Sequence, residues 1–136
     1  MKITQKTYEE ILMKLDATRQ ETGGILGEKE GAVCRFFLDG AGTRGEYRPN
    51  VALLNQAIEV WAEEGVSFIG LVHTHINGLG ILSPNDIDYA RLILSANELE
   101  YVYFLVVAKD KDGKKIMRSY RITQNDVVEE QNEITN

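Results

Sequence analysis

Both histidines of this chain lie in one stretch, Leu71-Val-His-Thr-His-Ile-Asn-Gly-Leu-Gly-Ile-Leu-Ser-Pro-Asn-Asp86. The groups with chemistry to offer there are His73, His75, Ser83 and Asp86, spaced as His-x-His, seven residues, Ser-x-x-Asp. Two imidazoles and a carboxylate form the three-ligand set of a catalytic zinc site, which leaves its fourth position to water. A structural zinc site is more often closed by four protein ligands, usually including thiolates. This chain has one cysteine, Cys34. Taken alone, Ser83-x-x-Asp86 is only a helix-capping signal. The joint pattern says more, because it sets both histidines close before a carboxylate that can swing toward them.

The flanking residues predict how these groups are held. Val66 to Val72 is a mostly apolar run and reads as a buried strand entering His73. Residues two apart on a strand share a face, so His73 and His75 would present their rings to the same side. Ser83-Pro84-Asn85-Asp86 reads as a helix start, with Ser83 as N-cap, Pro84 in the first helical position and Asp86 in the first turn. A loop from Ile76 to Leu82, with Gly78 and Gly80, joins strand to helix.

Upstream, Glu21-Thr-Gly-Gly-Ile-Leu-Gly27 reads as an entry into another strand, its glycines allowing tight turning or close backbone approach. Glu21 is a candidate general base, since a carboxylate within reach of a zinc-bound water can take its proton. Spacing alone does not choose Glu21 over Glu28 or Glu30.

Glu21-Thr-Gly-Gly-Ile-Leu-Gly27 together with His73-Thr-His75, seven residues, Ser83-Pro-Asn-Asp86 resembles the JAMM motif of the JAB/MPN metalloproteases. That family comprises zinc isopeptidases, deubiquitinating enzymes among them, and has small prokaryotic members. The resemblance spans about Thr7 to Ile122. It implies that His73, His75 and Asp86 hold one zinc per chain with a bound water. It implies that Glu21 is the acid/base residue and that Ser83 steadies the oxyanion. It implies as substrate the bond after the Gly-Gly tail of a ubiquitin-like protein. Two positions depart from the family pattern. Ile76 follows the second histidine and Leu82 precedes the serine, where relatives often have proline. These changes bear on the shape of the loop more than on the chemistry. Two other readings stay open: a zinc hydrolase that frees a small amine or amino acid from a ubiquitin-like sulfur-carrier protein, and a catalytically silent MPN scaffold.

Composition fits one compact globular domain. The chain has 136 residues, 43% of them apolar, enough for one domain that buries about two-thirds of its unfolded surface. A formal charge of −6 argues against nucleic acid as the main partner, because phosphate contacts need a basic surface. No run approaches the ~18 apolar residues of a membrane span, and no basic-then-apolar leader opens the sequence, so the cytoplasm is the expected compartment. Cys34, in the apolar run Ala32–Leu38, reads as core and not as nucleophile. Nothing in the sequence defines an oligomeric state.

The remaining chain predicts an α/β fold: a single mixed α/β domain over residues 1–123 with the order α-β-β-α-β-α-β-β, helices packing on a curved β-sheet. Thr7-x-x-Glu10 reads as a capping box before a helical stripe of Tyr8, Ile11, Leu12 and Leu15. Leu53, Leu54, Ala57, Ile58 and Trp61 mark a second helix, stopped by Gly65, and Ile87, Ala90 and Leu94 mark a third. Asp112-Gly113 signals a hairpin between the last two strands. A polar loop over 39–49 carries Arg44, Tyr47 and Arg48. Residues 124–136 read as a polar, acidic, frayed tail.

Overall fold

A computed structural model describes residues 1–15, 21–39, 51–76 and 80–136; Arg44, Tyr47 and Arg48 lie outside them. In chain order the elements are β1 (Lys2–Thr4), α1 (Gln5–Lys14), β2 (Gly23–Lys29), β3 (Ala32–Leu38), α2 (Val51–Glu63), β4 (Ser67–Thr74), α3 (Pro84–Ala96), β5 (Val102–Lys109), β6 (Lys115–Ile122), β7 (Val127–Glu130) and β8 (Glu133–Thr135). The predicted order is present, extended by three short strands, β1, β7 and β8.

All eight strands form one sheet, ordered β7-β6-β5-β4-β2-β3-β1-β8. The two outermost strands are consecutive in the chain, with only Gln131 and Asn132 between them. Three peptide steps reach at most ~11 Å. The sheet must therefore curl until its edges nearly meet. Asn132, in that connection, accepts from the buried Ser119 hydroxyl of β6 and donates through Nδ2 to Met117 O at 3.1 Å.

Strand alternation splits the apolar residues between two cores. Leu26, Val72, Leu105 and Val107 join Ile3 of β1 and Ile11 and Leu15 of the α1 stripe in one cluster. Their strand neighbours Ile25, Leu71, Phe104 and Val106 join Leu54, Ala57 and Trp61 of α2 and Ala90 and Leu94 of α3 in the other. The central strands β4 and β5 are covered on both faces. They run parallel, joined through α3 as a crossover unit. Cys34 is partly buried against the second cluster.

Two expectations are corrected. Thr7 does not cap α1. Thr4 does, its hydroxyl accepting from Thr7 N at 3.3 Å, while Thr7 lies buried within the helix. The pairing of Lys2–Thr4 with β3 and β8 ends at Thr4 and fixes the start of the helix there. The acidic C-terminal residues are not frayed. β7 pairs with β6, and β8 pairs with β1. The acidic side chains match basic ones on β6: Arg118 donates to both oxygens of Glu129 at 2.9 and 2.6 Å, and Arg121 sits 2.9 Å from Glu130.

Candidate metal centre

The strand that enters His73 is β4, and its register fixes what surrounds the histidines. His73 has the parity of Leu71 and so faces the α2/α3 core, where its ring meets Phe104 edge-on at 4.8 Å. His75 lies one residue past the strand, its amide donating to Val107 O of β5 at 2.9 Å. That bond keeps the alternation going, and the two imidazoles lie 4.6 Å apart, centroid to centroid.

The carboxylate comes from α3. Ser83 is its N-cap, Pro84 stands in the first turn, and Ser83 and Asp86 form a reciprocal capping box. One Asp86 oxygen, Oδ2, accepts from Ser83 N at 2.9 Å and lies 3.3 Å from His75 Nε2. The other, Oδ1, is 3.7 Å from His73 Nε2. Ligand atoms about 2.0–2.1 Å from a tetrahedral zinc stand roughly 3.3 Å from one another. The observed spacings fit that arrangement.

Glu21 arrives from the other neighbour of β4. Gly23 of β2 pairs with His73, so the residues just before β2 lie beside the histidines. Glu21, His73 and His75 each bring a potential ligand atom within 4.8 Å of the others. The structure thus gathers Glu21, His73, His75 and Asp86 in one place. Glu28 is elsewhere. It pairs with Ser67 at the opposite end of β4, about 17 Å along the strand from Gly23, and Glu30 lies in the turn beyond it.

Burial and charge set the protonation states. Burial pushes the His73 imidazolium down to about pKa 4, against the opposing pull of Asp86 and with repulsion from His75. His73 is therefore neutral at pH 7 and can bind a metal without first losing a proton. Burial would raise Asp86, but hydrogen bonds from His75 and Ser83 and the proximity of His73 outweigh it and hold the carboxyl at about 2. The neutral His73 imidazole beside an ionised Asp86 carboxylate suits a divalent ion of zinc's character. Ser83 Oγ accepts from Asp86 N at 3.2 Å, which leaves its proton available to a further acceptor.

Supporting residues hold the frame; Gly24, Gly80 and Leu82 were marked in the sequence, and Thr74 and Tyr120 were not. Gly24 has no room for a side chain, since a Cβ would stand 2.0 Å from Phe37 O, and so β2 and β3 close up beside the site. The loop after His75 is fastened at Gly80, whose carbonyl accepts from Tyr120 Oη at 2.9 Å in a buried bond. Gly80 has φ +78°, and a Cβ there would meet Arg118 Cδ at 3.1 Å. Leu82, where relatives often carry proline, is buried in the α2/α3 core and fixes the entry to α3 by packing. Thr74, between the histidines, is fully buried and bonds Thr22. Its only local signal was alternation toward the core.

Comparison with known proteins places the fold. No family model matches the sequence, and no curated protein matches it. Solved structures do match. A protein from Desulfitobacterium hafniense is 19% identical, with TM-score 0.77 over 98% of this chain and 92% of its own. A protein from Salinibacter ruber is 16% identical, with TM-score 0.67 over 100% and 92%. A JAB1/MPN domain protein from Archaeoglobus fulgidus is also 16% identical, with TM-score 0.59 over 100% and 97%. At these identities the likeness establishes the fold: a single MPN-like α/β domain with a curled eight-stranded sheet and three helices. Among the described residues, no helix is long and apolar enough to cross a membrane.

Proposed function

We propose that this protein is a zinc-dependent isopeptidase or peptidase that cleaves after the C-terminal tail of a ubiquitin-like protein. The observation that carries the reading is the convergence of Glu21, His73, His75 and Asp86 from three separate elements of an MPN-like fold. His73, His75 and Asp86 would hold the zinc. A bound zinc supplies Lewis acidity, polarising a carbonyl and lowering the pKa of a water to about 7. Glu21 takes the proton of the attacking water and returns it to the leaving nitrogen, which an amide needs in order to depart. Ser83 donates its hydroxyl proton to the developing oxyanion, a contribution of about 3 kcal/mol in comparable sites.

The substrate class rests on the resemblance of the motif to that of the JAB/MPN metalloproteases. A Gly-Gly tail suits it, because only small side chains pass through a narrow site in an extended conformation. A silent scaffold domain commonly lacks one or more of the motif residues, and here all five are present.

One feature favours the second reading, release of a small amine from a sulfur-carrier protein. The connection from α3 to β5 is only five residues, 97–101, with no insertion to grip a large leaving protein. The test is hydrolysis of two substrates that share a Gly-Gly-tailed ubiquitin-like domain. One is joined to a lysine Nε of a second protein, the other to a free amino acid. Cleavage that stops with chelator and returns with zinc supports the proposal, and the preferred substrate decides between the readings. A chain that stays metal-free when zinc is supplied in stoichiometric amount contradicts both.

A further inference from the structure

The ladder between β2 and β4 ends with the pair Gly23–His73. One residue further, a side chain takes over. Thr74 N donates to Thr22 O at 2.9 Å, while Thr74 Oγ1 accepts from Thr22 N at 2.9 Å and lies 3.4 Å from Thr22 O. Thr74 is 0% exposed, so these bonds form away from water, where an unmet amide is costly. The Thr22 N–H belongs to the peptide unit that carries the Glu21 Cα. Holding that N–H fixes the plane of the unit, and with it the direction in which the Glu21 side chain leaves the backbone.

We propose that Thr74 is a positioning residue: its hydroxyl, set between the two histidines and turned to the opposite face, orients Glu21 toward the imidazoles. This rests on the reading of Glu21 as the proton carrier. Three groups are then placed by one strand end, His73 and His75 directly and Glu21 through Thr74, and Asp86 meets them from α3. A threonine serving only to fill space would need its shape and not its hydroxyl. Valine has that shape and the same strand preference.

The test compares wild type, Thr74→Val and Thr74→Ser, each loaded with zinc. Three readouts are taken: amide exchange at Thr22, the side-chain rotamer of Glu21 from NMR couplings, and kcat and KM on a Gly-Gly-tailed substrate. Wild type should protect the Thr22 amide and hold Glu21 in one rotamer. Thr74→Val should keep one zinc per chain and a near-normal KM. It should speed Thr22 exchange at least tenfold, average the Glu21 rotamer and lower kcat about 100-fold, the loss typical of a misplaced group. Thr74→Ser, which restores the hydroxyl, should recover all three. Thr74→Val with unchanged Glu21 rotamer or unchanged kcat overturns the proposal. So does a wild-type Thr22 amide that exchanges as fast as an exposed one, a measurement that needs no variant to fold. If zinc-loaded wild type shows no turnover, the proposed function fails, and the Glu21 rotamer still decides whether Thr74 orients it.

Discussion

Ser83 and Asp86 hold each other at the start of α3, the serine amide donating to Asp86 Oδ2 at 2.9 Å and the Asp86 amide donating back to Ser83 Oγ at 3.2 Å. The same Oδ2 stands 3.3 Å from His75 Nε2. The helix cap and the candidate metal ligand are thus one carboxylate, held toward the histidines by the cap itself. A preset ligand loses less conformational freedom on binding.

That double role can be separated. Asp86→Asn keeps an oxygen to accept from Ser83 N but removes the anion, so the fold should survive while zinc affinity falls by more than about 100-fold. Ser83→Ala should do the reverse, losing about 1 kcal/mol of stability with its cap and keeping one zinc per chain. Titration of both variants with zinc and chelator, alongside thermal melts, checks the pair. Wild-type zinc affinity in Asp86→Asn would make Glu21, the other carboxylate in reach, the third ligand.

Acid should weaken the zinc-free protein in a defined window. Unfolded, His73 takes up a proton near pH 6.5, whereas in the folded protein burial keeps it neutral down to about pH 4. The unfolded state binds more protons between these values, so stability falls as pH drops from 6.5 to 4, by about 3 kcal/mol. Asp86 acts in the same direction lower down, since its folded value of about 2 lies below the ordinary 3.8. Denaturant unfolding in the presence of chelator, at steps from pH 7 to 4, measures the slope. His73→Gln should flatten it, and an equally steep fall in that variant would mean that another group is responsible.

Much of the site could be read in the sequence because its parts are local. His73 and His75 are two apart on a strand, and Ser83 and Asp86 three apart on a helix start, so alternation and capping placed them. What the sequence missed depends on distant pairing. Thr74 meets Thr22 across 52 residues. β1 pairs with β8 from the other end of the chain, and both are three-residue strands with too little pattern to show periodicity. The acidic residues of β7 look solvated until Arg118 and Arg121 are known to face them. Thr7-x-x-Glu10 carried the capping signal, but strand pairing up to Thr4 starts the helix one turn earlier. Glu21, Glu28 and Glu30 were equivalent by spacing, and only the antiparallel register with β4 showed which end of β2 meets the histidines.

The near meeting of the two sheet edges can be tested separately. Asn132 links the β7–β8 connection to the buried Ser119 hydroxyl and to Met117 O. Asn132→Ala should leave these groups without their partner, costing about 1–3 kcal/mol and lowering the melting temperature by roughly 3–10 °C. If residues 124–136 were a loose tail, the variant would melt with wild type.

The most direct test is turnover by Glu21→Gln with zinc measured on the same samples. Glutamine matches the size of Glu21 and can hydrogen-bond a water, but it takes no proton at neutral pH. The variant should hold one zinc per chain, keep the wild-type melting temperature and cleave a Gly-Gly-tailed ubiquitin-like substrate about two to four orders of magnitude more slowly. Zinc-loaded Glu21→Gln that cleaves as fast as wild type would contradict the reading of Glu21 as the proton carrier.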